Sequence, residues 1–155
     1  MDNRPIGVFD SGIGGLTVVD ALAKRLPNET IFYVGDTARV PYGNKSKSRI
    51  QQYASEITNW LKKKDCKIII VACNTASALA LKYLSSIFSI PIIGVIESGV
   101  NRGIRMNQNN KIAVLGTSAT IRSNVYGKKI KAVKPEILVI SQACPLFVPL
   151  AEEGW

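Results

Sequence analysis

Six short apolar runs punctuate the chain, at residues 6–9, 31–34, 68–71, 92–96, 112–115 and 137–140. The third, Ile68-Ile69-Ile70-Val71, is uninterrupted and β-branched throughout, as a strand buried on both faces of a parallel sheet should be. Between most of the runs the apolar positions recur with helical period. Leu16, Val19, Ala23 and Leu26 form one stripe, and Ile50, Tyr53, Ala54, Ile57, Trp60 and Leu61 form a longer second one. Ala76, Leu79, Ala80, Tyr83 and Leu84 form a third. This alternation predicts an α/β fold, a mostly parallel sheet flanked by helices and joined by right-handed crossovers. A break is expected at 98–110, where Gly99, Gly103 and Asn107-Gln108-Asn109-Asn110 intervene. The predicted division is a first α/β domain at residues 1–98 and a partial second α/β domain at 99–155. Two strands and a helix make a poor independent unit, so the second domain is expected to be incomplete and the chain shortened. The last five residues, Ala151-Glu152-Glu153-Gly154-Trp155, read as a helix passing into a loop, which agrees with that expectation.

Composition narrows the class. In 155 residues, 46% hydrophobic and 20% charged positions are globular values and exclude a disordered chain. There is no apolar stretch of membrane-spanning length and no signal-peptide pattern, so the expected location is cytoplasmic and no membrane partner is expected. Three cysteines at unrelated spacings argue against a disulfide framework. The lack of histidine and of a CxxC pair argues against zinc. A net charge of +9 raises the question of nucleic acid. The basic residues are scattered, however, and Lys62-Lys63-Lys64 falls where a helix end welcomes cations. Without interleaved aromatics to stack on bases, nucleic-acid binding is disfavoured.

Three predicted strand ends carry small polar residues in place of simple turns. Cys73-Asn74-Thr75 follows the buried run and precedes a helix, the edge at which open α/β sheets bind ligands. The helix start is expected to favour thiolate over thiol, lowering Cys73 from an ordinary value of ~8.5 toward that of a working base. A buried cysteine that only packs is the plain alternative. The first strand ends in Asp10-Ser11-Gly12-Ile13-Gly14-Gly15, whose glycines allow close backbone approach at a helix start. A dinucleotide fingerprint with Asp36 as ribose partner is the tempting reading, but Thr17 stands at its final glycine. Asp10 at the loop mouth would also repel a pyrophosphate; it suits an ammonium group or a held proton. The second strand ends in Gly35-Asp36-Thr37-Ala38-Arg39-Val40-Pro41-Tyr42-Gly43. Pro41 and Gly43 tighten the loop, so Tyr42 and the Gly43 amide can meet a small anion, or the segment is an ordinary surface turn. Were the three ends to converge, the pocket would hold a thiol, a carboxylate, hydroxyls and backbone donors. That set suits a small zwitterion and proton transfer at carbon.

These residues resemble the cofactor-independent glutamate racemases of the aspartate/glutamate racemase superfamily. The resemblance runs through Ile6-Gly7-Val8-Phe9-Asp10-Ser11-Gly12-Ile13-Gly14-Gly15-Leu16-Thr17, the Gly35-Asp36 to Pro41-Tyr42-Gly43 block and Ala72-Cys73-Asn74-Thr75-Ala76-Ser77. It continues in Gly94-Val95-Ile96-Glu97, Gly116-Thr117 and Cys144-Pro145-Leu146-Phe147-Val148-Pro149-Leu150 through Glu152-Glu153-Gly154. What it implies is a fold of two similar α/β domains and a two-base interconversion of L- and D-glutamate for peptidoglycan synthesis, with neither cofactor nor metal. Two cysteines would face opposite sides of the α-carbon. Cys73 matches the base that takes the proton of the D-enantiomer, Asp10 would tune or relay its proton, and Glu152 matches a residue supporting the second base. Asp10, Ser11, Tyr42, Gly43, Asn74, Thr75 and Thr117 fall at substrate-holding positions. A homodimer is compatible with the resemblance.

The chain departs from the pattern at the second base. The family's Cys-Thr-His-Tyr-Pro block is not found, and neither Cys66 nor Cys144 has its context. Cys66 reads as structural, and Cys144 belongs to a different family block. Ser98 stands where the family usually has Pro. As written, the chain is expected to be inactive in racemisation, or limited to proton exchange on one face. Two alternatives stay open: a related amino-acid racemase or one-cysteine isomerase or decarboxylase, and a non-catalytic protein acting on nucleic acid or on DNA gyrase, as some family members are reported to do.

Overall fold

The computed structural model describes residues 2–155. Its larger sheet contains β1 (Ile6–Asp10), β2 (Ile31–Gly35), β3 (Ile68–Val71) and β4 (Ile92–Gly94), all parallel and ordered β2-β1-β3-β4. From β1 the chain steps outward to β2 and then returns to lay β3 on the other side of β1. The carboxyl ends of β1 and β3 therefore flank the point where the winding reverses, the crevice in which open α/β sheets hold ligands. Asp10 ends β1, and Cys73 lies two residues past the end of β3.

Side chains alternate between the two faces of this sheet. Phe9, Ile69 and Val71 pack against Ile50, Ala54, Ile57 and Leu61 of helix α2 (Lys47–Lys63). The predicted α2 stripe is thus the buried one, except that Trp60 lies in solvent beneath Lys64. Ser46 caps this helix by accepting the Arg49 N–H at 3.3 Å. On the opposite face Val8, Ile6, Ile70 and Ala72 meet Val18, Val19 and Leu22 of helix α1 (Leu16–Arg25). This corrects the expected α1 stripe: Leu16, Ala23 and Leu26 are exposed, because the Asp10–Gly15 loop rotates the helix to present the neighbouring residues. The third stripe is also divided. Helix α3 (Asn74–Leu79) ends at Ala80 and α4 (Leu81–Ile87) begins after it, with Leu84 buried and Tyr83 exposed.

The remaining elements are α5 (Ile96–Met106), β5 (Lys111–Gly116), α6 (Ser118–Ser123), α7 (Val125–Val133), β6 (Leu138–Ala143) and α8 (Phe147–Glu152). The break expected at 98–110 is largely helix, since α5 runs through Gly99 and Gly103 to Met106. Its inward residues Ile96 and Val100 outweigh two glycines and a polar outer face, joining Ile130 and Ile137 in a separate core. β4 stops at Gly94, two residues short of the predicted run, whereas β6 extends three residues beyond it. β5 and β6 pair in parallel as a two-stranded sheet. One face carries Ile112, Val114 and Val139 into the core, while Ala113, Leu115, Leu138 and Ile140 face solvent. Among the described residues no helix is long and apolar enough to cross a membrane.

Candidate active site

The three polar strand ends converge. An open cleft of about 540 Å³ is lined by Asp10, Ser11, Tyr42, Gly43, Cys73, Asn74, Thr75, Thr117 and Glu152, together with apolar residues of α1 and α8. Every site residue expected from the sequence therefore borders one space. Its lining contains two carboxylates and no lysine or arginine, so the chain's positive charge lies elsewhere. Any carboxylate bound here meets neutral donors only.

Asp10 organises the glycine loop. It is 7% exposed, and its Oδ2 accepts the N–H groups of Gly12 at 3.3 Å and Gly15 at 3.0 Å. Glu152, reaching across from α8, accepts the Ile13 N–H at 3.1 Å. Three loop amides are thus already engaged by carboxylates, which removes the phosphate cradle that a dinucleotide would need. The loop is tightest at Gly15, where a Cβ would stand 2.6 Å from Asp10 Cβ and 3.0 Å from the Tyr33 ring, whereas one on Gly12 would meet only the movable carboxylate of Glu152. Tyr33 donates to the Gly12 carbonyl at 2.7 Å, and its phenol is pushed up to about 12 by burial and by nearby Asp10 and Glu152.

Cys73 caps α3 with its sulfur. Sγ accepts the Ala76 N–H at 3.4 Å, while the thiol donates to Ser11 Oγ at 3.5 Å. The expected lowering of its pKa is overturned. Burial, with the side chain at the bottom of the cleft and the residue 4% exposed, pushes the thiol up to about 11, and the charge of Asp10 adds to the rise. The contacts from Ser11 and Ala76 act the other way but are outweighed.

Thr75, Thr117 and Thr120 form a ring of hydroxyls: Thr75 to Thr117 at 2.9 Å, Thr75 to Thr120 at 3.1 Å and Thr117 to Thr120 at 3.0 Å. Thr117 also caps α6 by accepting the Thr120 N–H at 3.3 Å. Thr120 escaped the sequence reading, although its spacing of three from a cap residue was the available signal. Tyr42 and Gly43 lie in a single 3-10 turn, Tyr42–Asn44. The Tyr42 hydroxyl, expected to meet a small anion, gives its proton to Asp36 instead, with burial and that carboxylate raising its pKa, although the residue borders the cleft. Asp36 in turn pairs with Arg39, which lies over the Tyr53 ring at 4.2 Å and reaches Glu56 on α2. Asp36 is thereby a support for the Tyr42–Gly43 turn. Gly43 faces Thr117 so closely that a Cβ would stand 2.5 Å from Thr117 Cβ.

The other two cysteines are elsewhere. Cys66 is buried in the α2-side core with Leu61, both packed against the same side of Gly7. Cys144 lies past the end of β6 and lines a neighbouring cavity of about 500 Å³ instead of the cleft holding Cys73. Among the described residues no cluster of His, Cys, Asp or Glu could hold a metal ion.

Comparison with known proteins agrees across the chain. Residues 6–150 match the family described as Asp/Glu/Hydantoin racemase. A glutamate racemase of Geobacter metallireducens is 53% identical over 152 residues, covering 98% of this chain and 56% of that protein. The crystal structure of a glutamate racemase isoform from Bacillus anthracis superposes with a TM-score of 0.94 at 41% identity, over 99% of this chain and 58% of the other. A Francisella tularensis glutamate racemase solved with D-glutamate gives 0.91 at 49% identity, over 99% and 58%. The chain thus spans less than two thirds of the length of the relatives it matches.

Proposed function

Because this chain belongs to the Asp/Glu/Hydantoin racemase family, we propose that it carries the first half of a glutamate racemase site, in which Cys73 exchanges the α-proton of D-glutamate. The observation that carries the reading is the placement of one thiol, buried at the winding-reversal point, in a cleft with two carboxylates, hydroxyls including those of Ser11, Thr75 and Thr117, and no cation. The substrate ammonium is received by Asp10, and the substrate carboxylates by Ser11, Asn74, Thr75, Thr117 and the Gly43 backbone, with Thr120 holding the two threonine hydroxyls from behind.

This arrangement gives the thiol a conditional role. With a pKa of about 11, only about one molecule in ten thousand holds a thiolate at pH 7. An ammonium group arriving beside Asp10 offsets the charge that helps to hold the thiol protonated, so ionisation is favoured when substrate is bound. The thiolate then removes the α-proton, and negative charge spreads onto the α-carboxylate. Hydroxyls already oriented there stabilise it without reorganising. Inversion needs an acid on the opposite face of the α-carbon. Among the described residues no second thiol lines the cleft, so these residues by themselves exchange and do not invert. Losing one specific acid–base partner costs about 10²–10⁴-fold. Glu152 orders the glycine loop through Ile13 and supports the opposite base when one is supplied. We assign the protein to the cytoplasm, supplying D-glutamate for peptidoglycan.

Substrate class is tested by titrating the Cys73→Ser variant, which keeps the pocket but cannot turn over. D-glutamate should bind saturably and more tightly than D-aspartate or D-glutamine. Equal affinity for all three would remove glutamate from the assignment.

A further inference from the structure

We propose that Tyr126 is a positioning residue of the cleft, one that fixes the Asn74 amide so that its nitrogen end is the one offered to a substrate carboxylate. The inference rests on the glutamate reading above. Tyr126, on α7, donates its hydroxyl to Asn74 Oδ1 at 2.6 Å. The two ends of an asparagine amide differ chemically: Oδ1 only accepts, and Nδ2 donates twice. With the phenol proton on Oδ1, the amide is turned so that the two Nδ2 donors lie at the end away from Tyr126. This choice matters in a cleft that holds Asp10 and Glu152 and no cation. An inverted Asn74 would add another acceptor against the oxygens of a dicarboxylate. Tyr126 does not line the cleft itself. It lines two adjoining grooves of about 500 and 580 Å³, and Asn74 borders those grooves and the cleft alike. Tyr126 therefore acts through Asn74 and not by touching substrate. A phenol is protonated at neutral pH and so can donate, and burial raises this one further above that range.

The bond also joins two parts of the fold. Asn74 is the first residue of α3, at the end of the larger sheet, while Tyr126 comes from the helix packed with α5 beside the smaller one. The seating of the second unit is thereby felt at a donor in the substrate cleft.

The test is NMR on the ¹⁵N-labelled 155-residue chain and its Tyr126→Phe variant, followed by D-glutamate titration. Phenylalanine keeps the ring and removes the hydroxyl. The expected result is a shifted, more mobile Asn74 side-chain amide, unchanged resonances away from α3 and α7, and a Kd for D-glutamate raised about three- to tenfold. Asn74→Ala should weaken binding by at least as much, and adding Tyr126→Phe to it should weaken binding no further. An Asn74 amide unaltered in Tyr126→Phe, or losses that multiply in the double variant, would overturn the proposal. Should the unsubstituted chain bind no glutamate, the functional reading fails separately. The Asn74 resonance would still decide whether Tyr126 holds the amide.

Discussion

The Cys73 thiol lies where a six-residue helix offers N–H groups and a buried carboxylate opposes them. So short a helix brings little dipole, and desolvation with Asp10 prevails. Two consequences can be measured. Asp10→Asn should bring the Cys73 pKa down from about 11, so that the pH profile of iodoacetamide alkylation moves to lower pH. Stability carries the same information. A thiol whose folded-state pKa lies above its unfolded value contributes stability that is complete below about pH 9 and is lost as pH rises toward about 11. Cys73→Ala should flatten that part of the profile. Residue identities at the site were legible from the sequence because strand ends announce themselves: an apolar run stops and small polar residues follow. The direction of the thiol shift was not legible. It depends on depth of burial and on a carboxylate 63 positions away, and neither leaves a local mark. Tyr126 was missed for a similar reason, as its partner at position 74 becomes a neighbour only through the fold.

Among the elements, the strands and the helices before residue 92 followed from periodicity, while helix orientation and α5 did not. The α2 stripe read correctly because a helix of 17 residues averages over its turns. In α1 the ten-residue pattern allowed two adjacent faces, and the loop tied to Asp10 chose between them. α5 was obscured by glycines that its packing tolerates. The Tyr42–Asn44 turn is an element whose position is set from outside, by Asp36 beneath the Tyr42 hydroxyl and Arg39 bridging to α2. Asp36→Ala leaves a buried phenol without its acceptor, and is expected to cost about 1–3 kcal/mol in urea unfolding. It should also weaken D-glutamate binding, because the Gly43 backbone moves with the turn. A full-strength binder with wild-type stability would mean that the turn holds its own geometry.

At the scale of the whole molecule, the two sheets differ in how they are covered. The larger is packed on both faces around β1 and β3, as parallel sheets require. The smaller leaves Leu115 58% and Ile140 56% exposed on one face. Such a surface favours association. Ile140→Lys should therefore change folding stability by no more than about 0.5 kcal/mol, while reducing concentration-dependent self-association in sedimentation. A large loss of stability would show that this face is packed in solution. The division between the two units, at 98 by sequence, falls within α5, whose core residues belong with the smaller sheet. What unites the units functionally is the cleft, to which the larger contributes the thiol and Asp10 and the smaller contributes Thr117 and Glu152. The central claim is that this shared cleft makes Cys73 a base toward one face of glutamate. It is tested most directly by following α-proton exchange in D₂O by NMR, with D- and L-glutamate in separate tubes and Cys73→Ser as control. We predict slow deuteration of D-glutamate, no inversion of either enantiomer, and no exchange in the serine variant. Exchange that survives in Cys73→Ser, or none at all in folded protein that binds D-glutamate, would contradict it.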